Sequence, residues 1–120
     1  MNKSFDIEKM MNLIKTFAEK RDWDQFHSPK NISMALAVES SELLEIFQWL
    51  KEEQSWEVMK DEKTSVAVKD EIADVAVYLL RLCDLLSVDL ENAIVDKMKK
   101  NGEKYPSELV RGSSKKYDEY

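Results

Sequence analysis

Glycine is scarce in this sequence, and its scarcity excludes the commonest phosphate-binding loops. Only two of the 120 residues are glycine, Gly102 and Gly112, and both lie towards the carboxyl end. A P-loop or a dinucleotide-binding turn needs several glycines between a strand and a helix. If the chain binds phosphate groups, it must therefore use side chains and metal ions.

Cysteine and histidine occur once each, at Cys83 and His27. A single cysteine excludes an internal disulfide, and its apolar surroundings favour a buried thiol in a reducing compartment. A ferritin-like di-iron centre requires Glu-x-x-His pairs on its helices. The one histidine precedes its helix, so this class of site is excluded as well.

Long apolar runs are also missing, and charge is unbalanced. No run approaches the roughly 18 residues that a membrane span needs, and the charged amino end is unlike a signal peptide. The net charge of −6 disfavours nonspecific binding to nucleic acid. It does not exclude a phosphate-bearing small molecule if metal ions intervene. We therefore expect a cytoplasmic protein that binds neither membranes nor nucleic acid.

Apolar residues recur at helical spacing throughout, and no convincing strand alternates with period two. The pattern predicts an all-α bundle of four or five helices in one domain, residues 1–106, followed by an extended, partly ordered polar tail, 107–120. A charged segment over 52–63 is expected to connect the second and third helices, with room for a helical turn of its own. The first predicted helix carries an apolar stripe from Ile7 to Ala18, and the second runs from Pro29 to about Lys51 with Ser28 as its cap. The third runs from a cap at Thr64 to about Ser87, and the fourth runs from a cap at Asp89 to Asn101–Gly102.

The third helix is apolar on nearly all sides, which predicts burial from several directions. A seam with alternating steps of three and four resembles that of a coiled coil. In so short a chain, another subunit covering part of this helix is one explanation, and a seam within the chain is the other. The seam residues are Ile72, Val75, Leu79, Leu82 and Leu86.

Two pairs of carboxylates interrupt the apolar faces of the second and third helices. Glu39 and Glu42 are three residues apart, and so are Glu71 and Asp74. Residues at this spacing lie about 60° apart on a helix, one turn from each other. If the two helices pack together, four carboxylates meet. Either pair alone is most often a solvated helix face, but two matching pairs inside apolar helices favour a metal site.

Carboxylates gathered in a partly buried site repel one another and are costly to desolvate without a partner. Few lysines or arginines lie on these faces. A divalent cation is therefore the expected partner. Oxygen ligands without histidine or cysteine favour Mg²⁺, with Mn²⁺ as the other possibility.

These residues resemble the all-α, MazG-like nucleoside triphosphate pyrophosphohydrolases, whose signature is E-x-x-E on one helix and E-x-x-D on the next. From about residue 13 to 118, the chain is similar in order to the dCTP pyrophosphatase branch. The similar segments are “RDWDQFHSPKNISMAL”, “ESSELLEIFQW”, “DEIADVAVYLL”, “VDLENAIVDKMKKNGEKYP” and “RGSSKKY”. The short charged connector departs from the family pattern and bears on base selectivity.

The resemblance implies roles for particular residues. Glu39, Glu42, Glu71 and Asp74 would be the catalytic metal ligands, and one of them, or Glu45, would orient the attacking water. Aromatic positions of the base pocket match Trp23, His27, Trp49 and Tyr78. Positions that contact phosphate and sugar match Lys97, Asn101, Lys104 and Tyr105, although lysines at a helix end also complement its dipole.

The resemblance implies an Mg²⁺-dependent enzyme that converts dCTP, or a modified dCTP, to dCMP and pyrophosphate and so cleanses the nucleotide pool. It also implies a homo-oligomer, a dimer or a tetramer, whose subunits share core and site. One alternative is the same fold acting on dUTP or a broad range of deoxynucleotides. Another is a non-catalytic helical bundle that serves as an assembly module.

Overall fold

The computed structural model describes residues 4–112, and within them all regular structure is helical. This confirms the all-α prediction. Short 3-10 turns at Asp24–Phe26 and Val58–Lys60 connect helices. The α-helices are α1 (Ile7–Lys20), α2 (Pro29–Phe47), α3 (Glu52–Ser55), α4 (Glu62–Leu86), α5 (Leu90–Lys104) and α6 (Ser107–Val110). The chain divides into two compact units, one up to Ser87 and one from Val88 onward.

Two helix starts are those expected from the sequence. Ser28 Oγ accepts a hydrogen bond from the Asn31 N–H at 3.1 Å, and Pro29 occupies the first turn. Asp89 Oδ1 accepts from the Asn92 N–H at 3.0 Å. Both side chains satisfy a backbone donor that has no partner within the helix.

The predicted start of α4 was wrong. The cap is Asp61, whose carboxylate accepts hydrogen bonds from the N–H and the hydroxyl of Thr64, at 2.9 and 2.7 Å. Because the Asp61 carboxylate occupies both donors of Thr64, the helix begins at Glu62. These bonds, the hydroxyl first, also lower the pKa of Asp61.

Three further features differ from the prediction: the ends of two helices and the structure of the tail. Helix α2 ends at Phe47 rather than near Lys51. Helix α5 continues through Gly102 to Lys104 and stops just before Pro106, which cannot continue a helix. The tail contains the one-turn helix α6, so it is not simply extended. Residues 113–120, which include most of the similar segment “RGSSKKY”, lie outside the described residues.

In the first unit, α4 packs most extensively on α2 and also contacts α1 and the turn at Val58–Lys60. Among residues 4–112, the buried apolar side chains are few and mostly small: Ala18, Ile32, Val58, Val68, Leu80 and Cys83. Within the predicted seam, Ile72, Leu79 and Leu86 are exposed. Among the described residues, no helix has the length and apolar character that crossing a membrane requires.

Candidate functional site

The packing of α2 on α4 brings three of the four predicted carboxylates together. Glu39 and Glu42 extend from successive turns of α2, and Glu71 extends from α4. One carboxylate oxygen of each residue lies within 4.8 Å of the others. Three carboxylate oxygens at this separation can hold one divalent cation between the two helices.

The electrostatics of this cluster favour a positive charge between the carboxylates. Burial, followed by the neighbouring Glu42 carboxylate and the charges of Glu71 and Asp74, raises the pKa of Glu39 to about 7. Burial and the charge of Glu42 also raise the pKa of Glu71, and its Oε2 is buried without a hydrogen-bond partner. Few buried polar atoms are left unpaired in proteins. The donor set therefore fits a hard divalent cation.

Asp74, the fourth predicted ligand, does not contribute an oxygen to this group of three. It lies one turn beyond Glu71 on α4 and lines an adjacent cavity. Its negative charge still raises the pKa values of Glu39 and Glu71. Glu45 lines an open depression of about 420 Å³ together with Glu42 and Glu71. Asp74 and Glu45 thus lie on two sides of the cluster.

The adjacent cavity measures about 340 Å³ and is formed by α1, α4 and the segment between α1 and α2. This volume lies within the range of small-molecule sites. Its walls are mainly apolar or aromatic, with four polar side chains among them. The lining residues are Leu13, Ile14, Phe17, Ala18, Trp23, His27, Asp74, Val77, Tyr78 and Arg81.

Trp23 reaches this cavity because of how α1 ends. Asp22 adopts a left-handed conformation, with φ of 54°. The Trp23 N–H donates to the Ala18 carbonyl at 3.0 Å, and the Asp22 N–H donates to the Glu19 carbonyl at 3.1 Å. These two bonds form a Schellman motif, which usually brings the following side chain back onto the last helical turn. Accordingly, the Trp23 ring meets Phe17 edge-on, with centroids 5.7 Å apart.

Tyr78 lies one helical turn beyond Asp74, and both line the cavity, as their spacing predicts. Burial and the charges of Glu39 and Asp74 raise the pKa of the Tyr78 phenol. Its hydroxyl therefore stays protonated near neutral pH and can donate a hydrogen bond.

Arg81 is a residue that the sequence interpretation missed. Its side chain is buried and lies on the wall of the same cavity. The Nε donates to Nδ1 of His27 at 3.1 Å, and Nη2 donates to Asp24 Oδ1 at 2.7 Å. The sequence does contain a sign that Arg81 is unusual, since it is the one charged residue between Asp74 and Asp84 in an otherwise apolar stretch. Buried arginines require partners, which lie far away in sequence here.

The remaining predicted site residues are not brought to this cavity within the first unit. Trp49 follows the end of α2, is 86% exposed and does not line the cavity. Lys97 and Asn101 lie one turn apart on α5, Lys104 ends that helix and Tyr105 caps it, all in the second unit.

Comparison with known proteins identifies the family to which this chain belongs. A model of the MazG-like family matches residues 34–120, which includes both carboxylate pairs. The chain belongs to the MazG-like family. The predicted resemblance is therefore confirmed.

Two curated relatives illustrate how this MazG-like chain compares. It is 40% identical over 111 residues to rat dCTP pyrophosphatase 1, which covers 92% of the chain and 65% of the rat protein. It is 39% identical over 113 residues to the human protein of that name, covering 94% of the chain and 66% of the human protein. The chain thus spans just under two thirds of the length of these curated relatives.

A solved structure is similar over almost its whole length. The crystal structure of a pyrophosphatase from Archaeoglobus fulgidus is 37% identical in sequence, with a TM-score of 0.78. The match covers 88% of this chain and 97% of the archaeal chain. The two chains therefore share a fold.

Proposed function

We propose that this protein is a metal-dependent nucleoside triphosphate pyrophosphohydrolase that converts dCTP, or a modified dCTP, to dCMP and pyrophosphate. The observation that carries the proposal is the carboxylate cluster of Glu39, Glu42 and Glu71, whose buried Glu71 oxygen has no partner. The names of the rat and human relatives, dCTP pyrophosphatase 1, support the substrate. We expect such an enzyme to cleanse the nucleotide pool in the cytoplasm.

Glu39, Glu42 and Glu71 would hold the cation, with Asp74 as a fourth catalytic carboxylate beside them. Mg²⁺ suits all-oxygen ligands, and Mn²⁺ is the alternative. A bound divalent cation neutralises charge on the triphosphate and lowers the pKa of a bound water. Glu45, which lines the open depression beside Glu42 and Glu71, would orient a water molecule.

The cavity beside the cluster would hold the base. Trp23, edge-on to Phe17, offers an aromatic surface, and Tyr78 and His27 add polar groups. Stacking on aromatic side chains contributes roughly 1–3 kcal/mol per base. Asp74 lines the cavity close to the cluster, so a nucleotide whose base fills the cavity would extend its phosphates towards Glu39 and Glu71.

We further propose that residues 1–106 form the catalytic domain, with 107–120 as its tail. Lys97, Asn101, Lys104 and Tyr105 would contact phosphate and sugar. The amide and lysine side chains at successive turns of α5 offer hydrogen-bond donors of the kind that phosphate oxygens accept.

A homo-oligomer, either a dimer or a tetramer, accounts for two exposed apolar features. Trp49 is exposed although it follows an apolar helix, and so are Ile72, Leu79 and Leu86 of the seam on α4. Exposed apolar patches of this kind mark interaction surfaces. On this proposal the seam packs on a second copy, and Trp49 completes a base pocket of another subunit.

The test is pyrophosphate release from the eight common nucleoside and deoxynucleoside triphosphates and 5-methyl-dCTP, with and without Mg²⁺. Mg²⁺-dependent release chiefly from dCTP or its methylated form is the expected result. Release chiefly from dUTP, or from many nucleotides, would support the same fold with another specificity. No release from any nucleotide would support a non-catalytic assembly module instead.

A further inference from the structure

His27 is the one histidine of the chain, and a single hydrogen bond determines its chemical form. Its Nδ1 lies 3.1 Å from Nε of Arg81, which comes 54 residues later. A guanidinium group can only donate hydrogen bonds, so Nδ1 must present a lone pair. A neutral imidazole with an unprotonated Nδ1 carries its proton on Nε2.

The surroundings of His27 favour this neutral form. Burial and the positive charge of Arg81 lower the pKa of His27, against a smaller opposing effect of Asp24. Since the ring lines the cavity and Arg81 occupies Nδ1, Nε2–H is the polar group that remains for a ligand. The imidazole that lines the cavity therefore carries its N–H at Nε2.

Carboxylates on two sides balance the charge of Arg81. Its Nη2 donates to Asp24, and its Nη1 lies 3.5 Å from the carboxylate of Asp84, while Nε donates to His27. The side chain is only 5% exposed. This arrangement holds the guanidinium in the position from which it donates to His27.

We propose that Arg81 is a positioning residue that determines base specificity, because it fixes the Nε2–H tautomer of His27 and so selects a base with an acceptor facing that group. This rests on the proposed function, in which the cavity holds the base. Cytosine presents acceptors at both N3 and O2, whereas N3 of uracil is a donor. A donor fixed at Nε2 therefore favours dCTP over dUTP when it faces N3.

The tautomer can be measured directly, because a chain labelled with ¹⁵N-histidine contains a single imidazole. A long-range ¹H–¹⁵N spectrum of the full chain is expected to show a protonated Nε2 and an unprotonated Nδ1. Arg81→Met removes the donor and should give a mixture in which Nδ1 is partly protonated. Arg81→Gln keeps an amide donor and should restore the wild-type pattern, and Asp84→Asn, which leaves the bond to His27 intact, serves as the control.

The same variants are then compared for kcat/KM on dCTP and dUTP. Arg81→Met should lower the dCTP preference about tenfold, the effect of one well-formed hydrogen bond. Arg81→Gln should recover most of the preference, and Asp84→Asn should keep all of it. A purely structural role for Arg81 would lower both activities equally and leave their ratio unchanged.

Two results would overturn the proposal. One is a wild-type spectrum with the proton on Nδ1, which decides the matter even if Arg81→Met does not fold. The other is an unchanged tautomer and an unchanged dCTP to dUTP ratio in Arg81→Met. If the wild-type protein hydrolyses no nucleotide, the proposed function and the specificity role both fail, while the spectrum still reports separately whether Arg81 fixes the tautomer.

Discussion

The guanidinium of Arg81 lies 2.7 Å from the carboxylate of Asp24, although 57 positions separate the two residues. The arginine is buried on α4, while Asp24 begins the 3-10 turn that follows Trp23. Together with the bond to His27, this pair fixes the segment between α1 and α2 to α4. The cavity wall therefore depends on a contact between distant parts of the sequence.

Replacing Asp24 should destabilise the protein measurably. Asp24→Ala removes a carboxylate partner from a buried guanidinium, and hydrogen bonds to charged groups contribute about 1.5–3 kcal/mol. Because Asp24 is itself half exposed, we expect the lower end, about 1.5 kcal/mol. Equilibrium unfolding in urea measures this difference.

Glu57→Ala is the matched control for that measurement. It removes the ion pair between Glu57 and Lys60, in which both side chains are exposed. Exposed pairs typically contribute about 0–1 kcal/mol. Equal losses for Asp24→Ala and Glu57→Ala would show that Arg81 does not anchor the segment.

Much of the fold follows from local sequence signals. The capping residues Ser28 and Asp89 act within three residues of the donors they satisfy, so short-range chemistry was sufficient to predict them. The predicted start of α4 was wrong because Asp61 and Thr64 are both residues that commonly cap helices. In the structure the carboxylate of Asp61 accepts hydrogen bonds from both donors of Thr64. Glycine costs only about 1 kcal/mol inside a helix, which explains why α5 continues through Gly102.

Neutralising Glu71 should separate metal binding from folding. Glu71→Gln removes one carboxylate from a cluster of like charges, so we expect a higher Tm for the metal-free variant. Mg²⁺ at about 100 times its Kd should stabilise the wild type by about 2.7 kcal/mol and the variant far less. Thermal unfolding with EDTA and with Mg²⁺ measures both effects.

Glu62→Gln is the control, because Glu62 is an exposed carboxylate in the first turn of the same helix. It should respond to Mg²⁺ as the wild type does. If Mg²⁺ stabilises Glu71→Gln as much as it stabilises the wild type, Glu71 is not a ligand of the metal ion.

Glu39 should make the metal-free protein less stable as pH rises from about 4.5 to about 7, whereas the lowered pKa of His27 acts in the opposite direction. In this window folded Glu39 keeps its proton, because its pKa is raised to about 7, while the unfolded chain has released it. Stability falls with pH wherever the folded state binds more protons than the unfolded state. Tm measured in EDTA across this range tests the direction, and Glu39→Gln should weaken the dependence.

Saturating Mg²⁺ should reverse that trend, since metal binding requires deprotonated carboxylates and becomes stronger as pH rises. A metal-free Tm that increases between pH about 4.5 and about 7, with no change in Glu39→Gln, would contradict the assigned pKa of Glu39.

Truncating the aromatic wall should weaken substrate binding more than the chemical step. Trp23→Ala removes the ring that packs on Phe17 and faces the cavity. Loss of a stacking contact of roughly 1–3 kcal/mol predicts an increase in KM for dCTP of about tenfold or more, with a smaller change in kcat. Trp56→Ala, at an 84% exposed position that does not line the cavity, should leave KM unchanged.

The candidate site was predictable only in part. The spacing within each helix predicts that Glu39 joins Glu42 and that Asp74 joins Tyr78, because residues three or four apart share a face. The role of Arg81 depends on partners in another part of the chain, which no local period reveals. Trp49 illustrates a further limit, since a residue exposed in one chain can belong to a site formed with a second copy.

The most direct test of the account is product analysis of dCTP hydrolysis in Mg²⁺ by ³¹P NMR, for the wild type and Glu71→Gln. We predict equal amounts of dCMP and pyrophosphate from the wild type, and no turnover from Glu71→Gln at an unchanged helical content. Release of dCDP and phosphate, or full activity in Glu71→Gln, would contradict the claim that this carboxylate cluster performs pyrophosphohydrolysis.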